Sequence, residues 1–298
     1  MVALSFGEIL FDIIDGKPYL GGAPLNISGH LTQLGLPTSI ISAVGNDRLG
    51  HLALERIKAL GISASFIKVL DNQPTGTVDV FLRDGLPDYT IHENVAWDAI
   101  HFDAITDAES IKNCDLFCFG SLSQRTANNR QMLFGIIQQL RPKCVFYDVN
   151  LRSRFFNTEI VLGSMTVADI VKFNDEEAVF LSQLIYQKSM TDAEFAENLQ
   201  KDYNVKIVII TSGANGAHAF SNGSSYFAAS ERIIVNDTIG AGDSFSAAFL
   251  YTYLHGKNIE HALQAGNSLG AYVATQRGAI PAYRAELTNQ IQALAGLD

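Results

Sequence analysis

The residues with the clearest chemistry lie in one run, NDTIGAGDSFSAAFLYTYLHG, from Asn236 to Gly256. Asp243 stands just behind Gly240, Ala241 and Gly242, and the run then opens into a long apolar stretch of helical character. Gly240 and Gly242 carry no Cβ, so backbone can approach a ligand closely there, and the free N–H groups of a first helical turn point at whatever occupies it. Phosphate is the natural occupant of such a cradle. A carboxylate in the same turn would repel it, unless the carboxylate takes a proton from an attacking hydroxyl. The combination predicts phosphoryl transfer with Asp243 as base. Capping by Asp237, Thr238 and Asp243 would account for one such residue. It does not account for two glycines, an alanine and a second Asp in one turn, since glycine inside a helix costs about 1 kcal/mol against alanine.

The elements that must position this turn are legible in the apolar patterning. VALSFGEIL, TSIISAVG, DLFCFGSL, CVFYDVN, IVKFN and VKIVIITSG read as strands, most of them nearly continuous in apolar residues and so buried on both faces. Helical segments such as NISGHLTQLG, GHLALERIKALG, NRQMLFGIIQQL and DAEFAENLQKDY lie between several of them. This alternation predicts an α/β fold with a doubly wound, mainly parallel sheet, whose ligands gather at the carboxyl ends of the strands. Ser244 to Leu254, apolar almost all round, predicts a helix buried against that sheet. FDIIDGKPYLGG and GTVDVFLRDGLPDYTIH break the rhythm. Each has an Asp-Gly turn between β-type runs, and Val78, Val80 and Leu82 alternate with other residues, so both read as hairpins of a separate small sheet. An isolated hairpin is marginally stable, so a flap with one apolar face must cover a site or another subunit. One α/β domain over 1–298 is expected, with a lid formed by inserted segments at about 12–21 and 66–98.

Composition narrows the function classes. The 298 residues carry 21 Lys and Arg against 31 Asp and Glu, a formal charge of −10 that would repel nucleic acid and anionic membrane. A small anion such as ATP remains compatible, because its phosphates meet local dipoles and a metal ion rather than the mean field. No stretch reaches the roughly 18 apolar residues of a membrane span, and the start MVALSFGEILFDI lacks the features of a signal peptide, so a cytoplasmic protein is expected. Cys114, Cys118 and Cys144 form an odd set without metal-type pairing. On one strand Cys114 and Cys118 would stand about 13 Å apart, too far to bridge, so all three are expected to be core thiols. The seven histidines show no ligand spacing.

Further polar groups follow successive strands. GGAPLN, with Gly21, Gly22 and Asn26, could present backbone N–H groups and a carboxamide to a polyol, and Asp12 could accept from two adjacent hydroxyls. A turn and a helix cap explain the same residues. DVNLR brings Asp148, Asn150 and Arg152, NDEE brings Asn174 and Glu177, and ITSGANGA brings Thr211, Gly213 and Gly216. Each alone is ordinary loop chemistry, and an acidic run at a helix start is commonly a solvated face. Their recurrence on the expected ligand edge is the stronger signal.

With these motifs in order, the chain resembles the ribokinase and fructokinase family of sugar kinases over nearly its whole length. DTIGAGDSF is similar to that family's C-terminal signature and GGAPLNISGHLTQLG to its N-terminal one, with AVGNDRLG, DVNLR, KFNDEE, TSGANG and QAGNSLGAYVATQRGA in sequence between and after them. The resemblance implies a ribokinase-like fold and Asp243 as catalytic base, with the amides of Gly240, Ala241 and Gly242 as an anion hole. It implies sugar contacts from Asp12, Gly22 and Asn26. Asn174 and Glu177 would organise Mg²⁺ largely through water. Nucleotide would be held by Asn174, Thr211, Gly213, Gly216, Gly242 and Asn267, and Arg152 would reach the phosphates. Asp237 and the carbonyls near Gly278 fall where many members bind a monovalent cation such as K⁺. Ala23-Pro24 after the glycine pair, and the segment PTGTVDVFLRDGLPDYTIHENVAWD, are similar to fructokinases, which often dimerise through their lids. Leu49, where Phe is common, and RSRFF, where Leu-Trp is frequent, depart from the pattern and bear on the sugar rather than the chemistry.

The expectation is an ATP- and Mg²⁺-dependent kinase forming fructose 6-phosphate, acting on small molecules as a homodimer. The same chemistry on 2-keto-3-deoxygluconate, ribose or a nucleoside is the nearest alternative, although no cationic partner for a sugar acid is visible in the sugar-facing motifs. A sensor that keeps the fold without turnover is opposed by the intact Asp243 and anion-hole glycines. A dinucleotide oxidoreductase lacks its Gly-x-Gly-x-x-Gly after the first strand, and no Walker-type Gly-Lys-Ser/Thr is present.

Overall fold

The apolar runs become strands of a large sheet buried between two helical layers. The computed structural model describes residues 1–83, 86–103, 107–108, 111, 113–152 and 154–297, with backbone alone for 81–83 and 86–88. Its strands are β1 (Ala3–Phe6), β2 (Leu10–Ile14), β3 (Lys17–Gly21), β4 (Thr38–Gly45), β5 (Ile67–Leu70), β6 (Gly76–Arg83), β7 (Leu86–Ile91), β8 (Leu116–Gly120), β9 (Val145–Asp148), β10 (Ile170–Asn174), β11 (Ile207–Thr211), β12 (Ala217–Ser221) and β13 (Ser224–Ala228). The helices are α1 (Ala23–Gln33), α2 (Arg48–Ala59), α3 (Ala127–Leu140), α4 (Thr158–Met165), α5 (Asp175–Tyr186), α6 (Asp192–Tyr203), α7 (Ala241–Gly256), α8 (Ile259–Ala274) and α9 (Ala285–Leu294).

Nine strands pair in the order β13-β12-β11-β10-β9-β8-β1-β4-β5. Pairing is parallel from β11 to β5, whereas β12 and β13 run antiparallel. Alternate residues of each strand serve opposite faces. Ala3, Leu116, Cys118, Phe146 and Ile209 pack with Ile27 and Leu31 of α1, Phe249 of α7 and Leu263 of α8. Leu4, Phe117, Phe119, Tyr147 and Ile210 pack with Leu133 of α3, Val161 of α4, Leu181 of α5 and Phe195 of α6. Two apolar layers explain the unbroken hydrophobic runs, because neither face of such a strand meets water. Cys114, Cys118 and Cys144 are free and buried in these layers.

The small sheet has the order β3-β2-β6-β7 and consists of two antiparallel hairpins joined by parallel pairing of β2 with β6, Leu10 opposite Gly76 and Ile13 opposite Asp79. Asp15 and Gly16 both take positive φ, 49° and 72°, as a two-residue hairpin turn requires. The second Asp-Gly turn lies outside the described residues. The small sheet is narrower than the segment 66–98, because Ile67–Leu70 leaves it to pair with Ser42–Gly45 at the edge of the large sheet. Ile67 is drawn there by the apolar cluster around Ile40, Val44 and Ile57. Asp47 anchors the small sheet at its base. One carboxylate oxygen caps α2 through the Gly50 amide at 2.7 Å, and the other accepts from the Thr75 amide at 2.7 Å, one residue before β6.

The β12–β13 hairpin was not among the strands expected from patterning. Its turn is Asn222-Gly223, with φ of 51° and 73°. No described helix is long and apolar enough to cross a membrane.

Candidate active site

α7 presents the glycine-rich turn at the carboxyl edge of the large sheet. Gly240 is its N-cap in the left-handed region, φ 78°, and a Cβ there would come 2.5 Å from the Ala279 carbonyl oxygen. Only glycine satisfies both demands. The turn is held by the Ala241 amide donating to Thr238 at 3.2 Å and the Ser244 amide to Gly240 at 2.8 Å. Behind it, Ser244–Thr252 of α7 is buried throughout. Ala279 is fixed in turn by His30 of α1, whose Nε2 donates to its carbonyl at 2.9 Å while Nδ1 meets the Tyr283 hydroxyl. Burial lowers the His30 pKa to about 4, so the ring is neutral and serves as a strut.

Asp243, half-buried in the first turn, accepts a 2.8 Å hydrogen bond from the Asn26 carboxamide of α1. Burial raises its pKa to about 6, with the Asp148 charge adding to the rise and Asn26, Lys172 and Arg152 opposing it. Beneath the turn lies a charge pair that sequence reasoning missed. Lys172 Nζ of β10 donates to both oxygens of Asp148 at 2.8 Å, and Ser246 of α7 donates to Asp148 at 3.1 Å. Burial works against the Lys172 ammonium, but Asp148, by charge and hydrogen bond, keeps its pKa above the ordinary lysine value. A lysine inside an apolar strand, IVKFN, was the available signal, since an ammonium is buried only when paired.

A cavity of about 480 Å³ opens in front of Asp243. It brings together Asp12, Gly22, Asn26, Arg152, Asn174, Glu177, Thr211, Gly240 and Gly242, with Asp148 and Lys172 in its floor. The small sheet forms the opposite wall through Leu10, Asp12, Val78, Val80, Tyr89 and Ile91. Burial raises Asp12 to a pKa of about 6, with Arg152 pulling it down. Glu8, also unassigned by sequence reasoning, lines the same wall.

Asn174 and Glu177 form a reciprocal capping box on α5: the Glu177 amide donates to Asn174 Oδ1 at 2.7 Å and the Asn174 amide to Glu177 Oε2 at 2.9 Å. Glu177 Oε1 accepts from the Leu151 amide at 2.7 Å. These oxygens are committed to backbone, and no group of three or more His, Cys, Asp or Glu able to hold a metal occurs among the described residues. The pair fits a hydrated Mg²⁺ carried by phosphates, which keeps its waters, rather than a protein cage.

Other expected residues lie outside the cavity wall. Gly213 opens the 3₁₀ turn Gly213–Asn215 after β11, and Gly216, φ 100°, closes it, packed so tightly that a Cβ would come 2.3 Å from Ala228 O. Asn267 of α8 spends its amide on the Ala228 and Ala229 carbonyls at 2.7 and 3.2 Å, tying down the end of β13. Asp237 accepts from the Ile239 amide at 3.0 Å and the Gly278 amide at 3.3 Å, so these two positions do meet, beside a neighbouring cavity that shares Asp12.

A doubly wound sheet, a small β-sheet over its carboxyl edge and an Asp behind a glycine turn together describe a sugar kinase. The chain matches the pfkB family of carbohydrate kinases over residues 6–285 and belongs to that family. It is similar to fructokinase-2 of Oryza sativa subsp. japonica, 25% identical over 310 residues covering 94% of this chain and 90% of that one. A fructokinase of Vibrio alginolyticus is 28% identical over 278 residues, 88% of this chain and 87% of that one. Among solved structures, a fructokinase of Xylella fastidiosa with bound ATP has a TM-score of 0.84, covering 98% of each chain at 20% identity, a likeness of fold.

Proposed function

We propose that this carbohydrate kinase transfers the γ-phosphate of ATP to a primary hydroxyl of a monosaccharide, and that the sugar is D-fructose, giving fructose 6-phosphate. The observation that carries the reading is Asp243, fixed by Asn26 at the mouth of a cavity it shares with Asp12, Gly22 and Arg152. With a pKa near 6 it is largely ionised at neutral pH yet more basic than an ordinary Asp. The hydroxyl proton passes to Asp243 as the sugar oxygen bonds to the γ-phosphorus, and the bond to the ADP oxygen breaks in line. Amides of the Gly240–Gly242 turn and the Arg152 guanidinium meet the charge on the transferring group. Lys172, held below the turn, balances the charge of Asp148 there. Asn174 and Glu177 would hold the waters of a Mg²⁺ bound with the nucleotide, which would supply positive charge against the phosphates. Thr211, Gly213, Gly216 and Asn267 shape the nucleotide side, and a K⁺ beside Asp237 and the Gly278 region belongs to the same reading.

The names of the relatives and the carboxyl-rich acceptor wall both support a neutral polyol over a sugar acid. The small sheet is the lid over that sugar, and two copies pair through it as a homodimer. A coupled ADP-release assay over fructose, ribose, 2-keto-3-deoxygluconate, nucleosides and glucose tests the reading. The expected result is the highest kcat/KM for fructose, lost in Asp243→Asn. Release of ADP that ignores the acceptor would count against it.

A further inference from the structure

Glu8 lies in the turn between β1 and β2, 3% exposed, in the wall of the Asp243 cavity. Its Oε2 has no hydrogen-bond partner among the described residues, nor does the Asn26 Oδ1 atom in the same wall. Two orphaned acceptors on one polar cavity are costly, each about 1–3 kcal/mol, unless something donates to them. The Glu8 backbone packs tightly against the next turn: a Cβ at Gly22 would come 2.3 Å from the Glu8 carbonyl oxygen, and 3.5 Å from its Cγ, so only glycine lets the chain close there.

Resting on the sugar-kinase reading, we propose that Glu8 is a specificity residue of the acceptor site, bonding a hydroxyl of a neutral sugar and turning away acceptors that carry a carboxylate. Either charge state bonds a hydroxyl: the carboxylate accepts from it, and the carboxylic acid donates to it. A carboxylate on the acceptor would meet Glu8, Asp12 and Asp243 together, with Arg152 as their cation and Lys172 already neutralised by Asp148. The environment agrees with the role. Burial, with Asp243 adding, lifts Glu8 to a pKa of about 7 against the pull of the Glu8 and Ala23 amides and of Arg152. A buried acid held near neutrality in a cavity, with no structural partner for Oε2, is poised for a ligand.

The test compares wild type with Glu8→Gln and Glu8→Asp, which keep polarity but alter charge and reach. In Glu8→Gln the fructose KM should rise about tenfold, the worth of one hydrogen bond to a charged group, with nucleotide KM unchanged and kcat within about threefold. The kcat/KM preference for fructose over 2-keto-3-deoxygluconate should narrow as well. Fructose KM within about twofold of wild type in both variants, with melting temperatures showing them folded, would overturn the proposal. So would an equal loss in nucleotide KM. If wild type turns over no acceptor, the kinase reading fails, and calorimetric titration with fructose still decides on Glu8. Binding weakened in Glu8→Gln upholds it, and equal or absent binding in wild type overturns it.

Discussion

At the scale of single residues, Asp243→Asn separates chemistry from folding, since it preserves shape while removing the proton acceptor. Turnover should fall by at least about 10²–10⁴-fold with fructose binding and melting temperature near wild type, and steady-state kinetics beside calorimetry would check this. Wild-type kcat/KM should also decline as pH falls through about 6, where Asp243 takes up its proton. Glu8 carries an opposite signature in stability. Its folded pKa of about 7 lies above the ordinary 4.5, so the folded chain keeps a proton that the unfolded chain releases, and stability is lost as pH rises from about 4.5 to 7. Gln does not titrate. Urea melts should therefore show Glu8→Gln gaining on wild type as pH rises from about 4.5 to 7, by up to about 3 kcal/mol. Asp243 was legible in the sequence because its glycines are its neighbours in the chain. Glu8 and Lys172 were not, because each sits in an apolar run and the groups that explain it come from distant elements: Asp148 for Lys172, and Gly22 with Asp243 for Glu8.

At the scale of elements, the Asn174–Glu177 box serves α5 and the phosphate side of the cavity at once. Glu177→Gln keeps one acceptor oxygen where the carboxylate satisfied the Asn174 and Leu151 amides with two. A loss of about 1 kcal/mol in stability is expected from the cap alone. The half-saturating Mg²⁺ concentration should rise far more than the fructose KM. An unchanged Mg²⁺ titration alongside the stability loss would make the motif a cap and nothing more. Elements were readable from sequence where burial enforced a pattern, as at Thr38–Gly45 and at α6, which starts at Asp192 and ends at Tyr203 as expected. The β12–β13 hairpin escaped because its outer strand is short and largely exposed, leaving Asn222-Gly223 as the one cue. Asn267 shows a different limit. The family resemblance put it on the nucleotide side, but which carbonyls its amide would bond depends on how β13 ends beside α8.

At the scale of the whole molecule, the small sheet faces the cavity with Val78, Val80 and Tyr89, and Tyr89 and Tyr19 are still 48% and 47% exposed. Large half-exposed aromatics on a two-hairpin sheet suit a partner's matching face. Val80→Glu should raise the fructose KM and shift the protein toward monomer in light scattering. Val179→Glu on α5, where the side chain is 55% exposed, should do neither. A monomer at every concentration with normal fructose affinity in Val80→Glu would separate the lid from self-association.

The contact between Gly240 and Ala279, braced by His30, ties the phosphate turn to residues far apart in the chain. During synthesis the chain appears from its N-terminus, and His30 is made long before the carbonyl it holds. A nascent chain that has just released α7 has the turn's residues but not the backbone that shapes them. The turn therefore lacks its packing partner until residue 279 has left the ribosome.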